Sequence, residues 1–353
     1  MYVAFLLRGL RRAVNNESQT TRSRDDNPLP PITVVVAAHN EAGTISPLLD
    51  ALAQQQHPQV EVVLVNDAST DETGTVLQTW TDGNADRRVI AMKGDGSPNK
   101  KAAIARGVSA ATHDLIAFTD ADCIPPPSWC EAMARRHAKE GTPVVIVGYS
   151  PFRQTSGLLN RWSRYETMLT GALTAAAAAL GRPHMAVGRN LSTHREIYEA
   201  VHGQEFGADL LSGDDDLFVQ AVHRTKAAPV VPAMTSDTFV PTEAPSSWQS
   251  WVRQKRRHVS AGRAYDRSAA LHLTLYHVSH IALWCAPLFI GTLGVGLLAT
   301  RLLVHSLVTS RAAERFDEPD LAAFFPIGDA FLALYHVLLV PLGLLHAPPL
   351  WER

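Results

Sequence analysis

Residues 115–122 read Leu-Ile-Ala-Phe-Thr-Asp-Ala-Asp, and no other stretch limits the possible fold and chemistry as tightly. Four apolar residues in a row predict a strand buried on both faces. Its C-terminal end brings Asp120 and Asp122 to the edge of a sheet, where open α/β sheets bind ligands. Side chains alternate along a strand, so residues i and i+2 point the same way, and two acids so close repel unless a cation or strong donors lie between them. The pair suits a hard divalent ion held together with a phosphate. The competing reading is a solvated turn, since Asp is common where strands end.

The flanking sequence supplies the rest of a sheet. Residues 32–38 (ITVVVAA) form a continuous β-branched run ended by His39-Asn40-Glu41, and Ile45, Leu48, Leu49 and Leu52 then recur at helical spacing. Residues 61–65 (EVVLV) predict a second strand that closes on residues 66–72. There Ser69 and Glu72 have the spacing of a capping box, so a helix is expected to start there, leaving Asp67 at the strand tip. A short strand over 89–91, a helix over 100–111 with Lys100 and Lys101 at its start, and a strand over 143–147 follow. The alternation predicts a mostly parallel sheet with helices on both faces. Residues 165–180, with five consecutive alanines, should be helical; 188–191 is a turn-like break; and 228–240 is expected to be strand-rich. Asp214, Asp215 and Asp216 open a further helix, and plain capping needs only one acid.

Charge is balanced overall but unevenly placed. Lys and Arg number 32 and Asp and Glu 34, a net charge of -2, so there is no basic excess pointing to nucleic acid. Residues 271–310 carry Arg301 as their one formal charge and residues 321–346 carry Asp329, whereas residues 251–268 hold six basic residues against Asp266. A basic collar ahead of an apolar tail predicts membrane helices with the preceding domain on the cytoplasmic side. The tail divides either into spans near 276–300 and 321–345, or into three helices if its first block turns near 291–296. Cys123, Cys130 and Cys285 have neither metal-ligand nor disulfide spacing, which fits a reducing compartment. Residues 1–12 are too short to span and read as an interfacial segment or anchor remnant; 15–31 read as a linker.

In this order the elements resemble the family 2 inverting glycosyltransferases of the GT-A fold, in particular their membrane-attached bacterial members. The likeness runs from about residue 32 to 258. It rests on His39-Asn40-Glu41, Asn66-Asp67-Ala68-Ser69-Thr70-Asp71, the Lys100/Lys101 helix start, Asp120-Ala121-Asp122, Gly213-Asp214-Asp215-Asp216-Leu217 and Gln254-x-x-Arg257-His258. It implies an N-terminal segment (1–31), an α/β GT-A domain with a Rossmann-like, mostly parallel sheet (32–268), and a C-terminal membrane region of two or three transmembrane helices (269–353).

The resemblance also implies roles. A Mn2+ or Mg2+ ion would sit on Asp122, with Asp120 on the nucleotide side; Asp67 would receive the base, uracil in a UDP-sugar; Asn40 and Glu41, after His39, would shape the nucleotide pocket; Lys100 or Lys101 would meet the nucleotide or its phosphates. Inversion needs a carboxylate that takes the acceptor's proton, and Asp214 aligns best, with Asp215 as competitor. Arg257 would meet the diphosphate, with Gln254 beside it. His258 replaces the family's tryptophan on the acceptor side, which favours addition of one or a few sugars over processive synthesis. Asn66 and Asn99 depart from the family pattern without removing a required group. The expected acceptor is lipid-linked or a saccharide, at the inner (cytoplasmic) membrane in contact with membrane lipid. Two alternatives are a non-catalytic membrane scaffold and a nucleotidyltransferase that would release pyrophosphate.

Overall fold

The computed structural model describes residues 2–18, 28–93, 98–201 and 214–345. In chain order the elements are α1 (Tyr2–Ser18), β1 (Ile32–Ala38), α2 (Ser46–Ala53), β2 (Val60–Asn66), α3 (Thr73–Thr81), β3 (Arg87–Ala91), α4 (Lys100–Ala110), β4 (Leu115–Phe118) and α5 (Trp129–Glu140). Then come β5 (Val145–Val147), α6 (Leu158–Ala179), β6 (Leu191–His194), α7 (Arg195–Val201), α8 (Asp214–Thr225), β7 (Val230–Pro232), α9 (Trp248–Ser260), α10 (Arg267–Arg315) and α11 (Asp320–Leu345).

The seven strands form one sheet in the order β3-β2-β1-β4-β6-β5-β7. All pairings are parallel except those of β6, which runs antiparallel to both β4 and β5. The continuous apolar runs of β1, β2 and β4 follow from their central place, since both faces are covered. Leu115 and Ala117 enter the core under α2 and α5, while Ile116 and Phe118 enter the one under α4 and α8. The α/β expectation therefore holds, and the strand ends that carry His39, Asp67 and Asp120 lie side by side.

Three local expectations change. The capping box is not formed: α3 begins at Thr73 without a side-chain cap at Glu72, and the Ser69 hydroxyl instead accepts the Asn40 N–H at 3.0 Å. The strand-rich return shrinks to the three residues of β7, with a 3-10 turn at Ser236–Thr238 after it. The turn-like break is a 3-10 turn, Gly188–Asn190, followed directly by β6. Most of the expected linker lies outside the described residues, and α1 runs to Ser18.

A third core joins α1, α6 and the C-terminal helices. Leu6, Leu10 and Ala13 of α1 are buried in it, and Gly9 sits so close to α6 that a Cβ there would lie 2.5 Å from Ala176 Cβ. The segment expected to be interfacial is thus packed on the alanine-rich helix along one side, with Arg8, Arg11 and Arg12 exposed on the other. Helix α10 is two arms: Ile290 and Gly291 leave helical geometry, with Gly291 at φ 54° and ψ −131°. A Cβ on Gly294 would lie 2.3 Å from the Ala286 carbonyl oxygen, whereas eight residues of straight helix span about 12 Å. The chain has therefore folded back on itself, the three-helix option for the tail. At the hairpin's foot, buried Arg164 of α6 donates to Glu318 and Asp320 at 2.9 Å each, clamping the turn before α11 to α6.

Candidate active site

The strand ends open onto one large cavity of about 1440 Å³. Asp120 follows β4 and accepts a hydrogen bond from Lys100 Nζ at 2.5 Å, so the first residue of α4 reaches across to the adjacent strand end. Asp122 lies two residues on; the Cys123 thiol is 3.7 Å from its Oδ1, and its backbone carbonyl accepts the Thr242 hydroxyl at 3.1 Å. The two acids have different electrostatics. Burial pushes the Asp120 carboxyl up, but Lys100, and beyond it Arg189 and Arg257, outweigh this and hold it below the usual carboxylate range. Burial pushes Asp122 up, and the charge of Asp120 adds to it.

That opposition is what a shared cation would relieve, and the donors are hard oxygens of the kind Mg2+ and Mn2+ prefer. Among the described residues no group of three or more His, Cys, Asp or Glu is placed to hold a metal. An ion on Asp122 and Asp120 would take its remaining ligands from substrate phosphate and water, so the residues fit the expected cation only with the donor present.

At the ends of β1 and β2, buried Asp67 accepts the Asn99 backbone N–H at 2.8 Å, and its carbonyl lies 2.6 Å from His39 Nδ1. Asn40 adopts φ 54° and accepts the Thr70 N–H at 2.9 Å, which locks the first strand-end turn to the second. Buried Glu41 is held through its backbone N–H by Thr73 at 2.7 Å and through its carboxylate by the Thr44 hydroxyl. These residues position the pocket wall. Asn99 caps α4 by accepting the Ala102 N–H at 3.1 Å, and Asn66 accepts the Ser69 N–H at 3.1 Å, so both departures from the family pattern have structural uses.

The acidic start of α8 separates into three jobs. Asp216 accepts the Ala186 N–H at 2.9 Å and the Tyr265 hydroxyl, which anchors the helix start. Asp215 accepts the Gly188 N–H at 2.6 Å and pins the 188–190 turn; burial raises its carboxyl above the usual range. Asp214 is half-buried and faces Lys101 Nζ at 3.0 Å. Both sequence candidates for the base thus line the cavity, and their partners differ. Gly213, the remaining part of that motif, lies outside the described residues.

From α9, Gln254, Arg257 and His258 all line the cavity. Gln254 Oε1 is buried and finds no hydrogen-bond partner among the described residues. His258 opens to the cavity; surrounding protein, then Lys255, Arg257, Arg189 and Lys100, push its imidazole well below the usual histidine range, so it is neutral. The expected site residues therefore line one cavity, except Asn40, which is exposed beside it and bonds to the 69–70 turn instead.

Sequence reasoning missed Arg189. Its Nε donates to Ser150 Oγ at 2.6 Å, its guanidinium lies 5.5 Å from the Phe152 ring, and its charge acts on both Asp120 and Asp122. A single Arg in a short turn carries no pattern; only the antiparallel β6 after it, which runs beside β4, brings it to the acids. The far end of the cavity was missed as well. It continues between α6, α9, α10 and α11, past Leu169, Leu173, Leu273, Tyr335, His336 and Leu344.

Residues 33–201 match the family model described as glycosyl transferase family 2. Among curated relatives, the probable glycosyltransferase YdaM of Bacillus subtilis (strain 168) is 24% identical over 264 residues, covering 73% of this chain and 61% of that protein. The 4,4'-diaponeurosporenoate glycosyltransferase of Staphylococcus aureus (strain MRSA252) is 29% identical over 179 residues, 49% of this chain and 46% of that protein. The chain thus spans less than two thirds of either relative. The fold is similar to the mannosyltransferase PcManGT from Pyrobaculum calidifontis, solved in complex with GDP-Man and Mn2+, at TM-score 0.53 and 18% identity over 95% of this chain and 99% of that one. It is also similar to residues 1–349 of S. aureus TarS in complex with UDP-GlcNAc, at TM-score 0.50 and 14% identity over 87% of this chain and 90% of that one.

Proposed function

This chain carries a family 2 glycosyltransferase domain, and on that premise we propose that it transfers a sugar from a nucleoside diphosphate sugar to an acceptor hydroxyl at a membrane surface, with inversion. The observation that carries the reading is the meeting of Asp120, Asp122, Lys100, Asp214 and Arg257 on one cavity. The diphosphate would lie between Lys100, Arg257 and Arg189, with the nucleoside toward Asp67, Asn40 and Glu41; the protein's cations neutralise the charge that grows on the leaving group. A divalent cation held by Asp122 and Asp120 would add Lewis-acid stabilisation of that same charge.

Of the α8 acids, Asp214 serves as general base, because Asp215 and Asp216 are already engaged by backbone N–H groups of the 186–188 segment. It takes the proton as the acceptor oxygen attacks the anomeric carbon. The bond from that carbon to the diphosphate oxygen breaks on the opposite face, and the diphosphate leaves with the electron pair. Uridine is the favoured base. The acceptor enters from the apolar end of the cavity, which suits a lipid-linked hydroxyl or a saccharide held at the bilayer.

Membrane attachment through the 269–353 region is part of the same reading. Among the described residues, α10 and α11 are long and apolar enough to cross a membrane. The basic residues of 251–268 support a cytoplasmic position for the catalytic domain (32–268). The test is nucleotide release by the purified chain over a panel of UDP- and GDP-sugars, with Mn2+ or chelator and with Asp214→Asn as control. Metal-dependent UDP or GDP release from one donor, lost in the variant, supports the reading; pyrophosphate release, or full activity of the variant, overturns it.

A further inference from the structure

Helix α11 does not leave the catalytic domain. Phe331 stacks on Trp248 at 6.5 Å between ring centroids, and Tyr335 lies 5.9 Å from Trp251. Further along, a Cβ on Gly343 would meet Val259 Cβ at 2.8 Å, and the Arg263 Nε donates to the Leu344 carbonyl at 2.6 Å. From residue 331 to 344, α11 therefore runs beside α9 from its first residue past its last. Helix α9 carries Arg253, Lys255, Arg256 and Arg257, three of which (Arg253, Lys255 and Arg257) line the aqueous cavity, so it cannot lie in hydrocarbon. A helix bound along it cannot cross a bilayer either. Yet Leu334, Leu338, Leu342 and Leu345 form an exposed apolar stripe at helical spacing on its outer side.

The α10 hairpin projects from this layer. Asp329 of α11 marks the crossing: Arg301 binds both its oxygens at 2.5 and 2.8 Å, Trp284 donates to it at 2.9 Å, and His280 lies 3.5 Å away. From His280 and Arg301 each arm continues ten residues to the Ile290–Gly291 turn, roughly 15 Å of helix, half of a hydrocarbon core about 30 Å thick. The tip, residues 286–294, has no charged residue, and Leu288 and Phe289 are 84% and 82% exposed. A hairpin emerging on the far side would end in a polar turn; this one ends in the most exposed large apolar side chains among the described residues.

We infer that the chain attaches to one leaflet of an anionic bilayer, α11 lying at the headgroup boundary while the α10 hairpin enters to near the midplane and returns to the same side. The inference rests on the reading that these helices meet lipid. Charge complementarity supports the anionic partner: Arg8, Arg11 and Arg12 of α1 and Arg263 after α9 are exposed on elements that pack against α10 or α11. The attachment is monotopic, and both ends of the hairpin stay with the catalytic domain.

Cys285 stands at the start of the tip, and Cys123 and Cys130 are buried, so the native chain carries a single accessible thiol for a probe. The full chain, labelled at Cys285 with an environment-sensitive fluorophore, is added to sealed vesicles of phosphatidylethanolamine and phosphatidylglycerol. Spin labels are placed in the headgroup or near the acyl methyl end, and iodide is trapped in the lumen. The expected result is flotation with the vesicles, strongest quenching by the methyl-end label and none by lumenal iodide. Quenching by lumenal iodide means the hairpin crosses and overturns the proposal while leaving membrane attachment intact. Failure to float overturns both. Thr292→Cys in a Cys285→Ala background repeats the measurement from the other arm.

Discussion

Lys100 Nζ holds Asp120 Oδ1 at 2.5 Å where β4 meets α4, so the carboxylate that would face a donor's diphosphate already carries a protein cation. A divalent ion arriving without nucleotide has to compete with that ammonium for Asp120. Lys100→Met should therefore strengthen Mn2+ binding by the nucleotide-free chain while weakening UDP binding, both read by calorimetry. Weakened Mn2+ binding in the variant would contradict the competition.

The three acids of α8 should separate under mutation. Asp214→Asn is expected to lower kcat by about 10²–10⁴-fold, the range for loss of a general base, with the thermal midpoint little changed. Asp215→Asn should lower the midpoint too, because it weakens the hold on the Gly188 N–H. Asp216→Asn should do the same through the Ala186 N–H and the Tyr265 hydroxyl. Equal activity losses with unchanged midpoints in all three would refute the division of labour.

Buried His184 makes stability pH-dependent. Burial lowers its imidazole from the ordinary 6.5 to about 4, with His272 adding to the shift. The unfolded chain then takes up the proton first, so stability is complete above about pH 6.5 and falls as pH drops toward 4, by about 1.4 kcal/mol per pH unit. His137, lowered by burial and by neighbouring His194, acts in the same direction. Urea unfolding at pH 7 and pH 5 measures the slope, and His184→Gln should reduce it.

Arg164→Met removes the cation from Glu318 and Asp320. Breaking a buried pair from one side costs about 3–5 kcal/mol, and here it frees the turn at the foot of the hairpin. Limited proteolysis near residues 316–320 should accelerate well before the sheet unfolds.

Strands β1, β2 and β4 were legible because they are mostly apolar and each stops at a polar residue or turn, His39, Asn66 and Thr119-Asp120. Strand β6 was not: Leu191–His194 reads LSTH, and its burial comes from β4 and β5 on either side rather than from its own composition. The Ser69–Glu72 spacing misled because Asn40, distant in sequence, claims the Ser69 hydroxyl. Hydropathy found α11 but could not distinguish a helix that crosses lipid from one that lies on α9, since both need one apolar side and few charges. The turn at Gly291 was one of two options in the sequence, and the close approach of Gly294 to Ala286 decides it.

Asn190 is fully buried, and its side chain donates to the Tyr149 and Thr238 carbonyls and accepts the Trp129 indole N–H. The three side-chain bonds that hold the C-terminal end of the Gly188–Asn190 turn are thus shielded from water. Arg189 is presented by a fixed bracket, not a gate. A nucleotide sugar bound as proposed would meet Arg189 as a wall of set shape rather than one that yields to it.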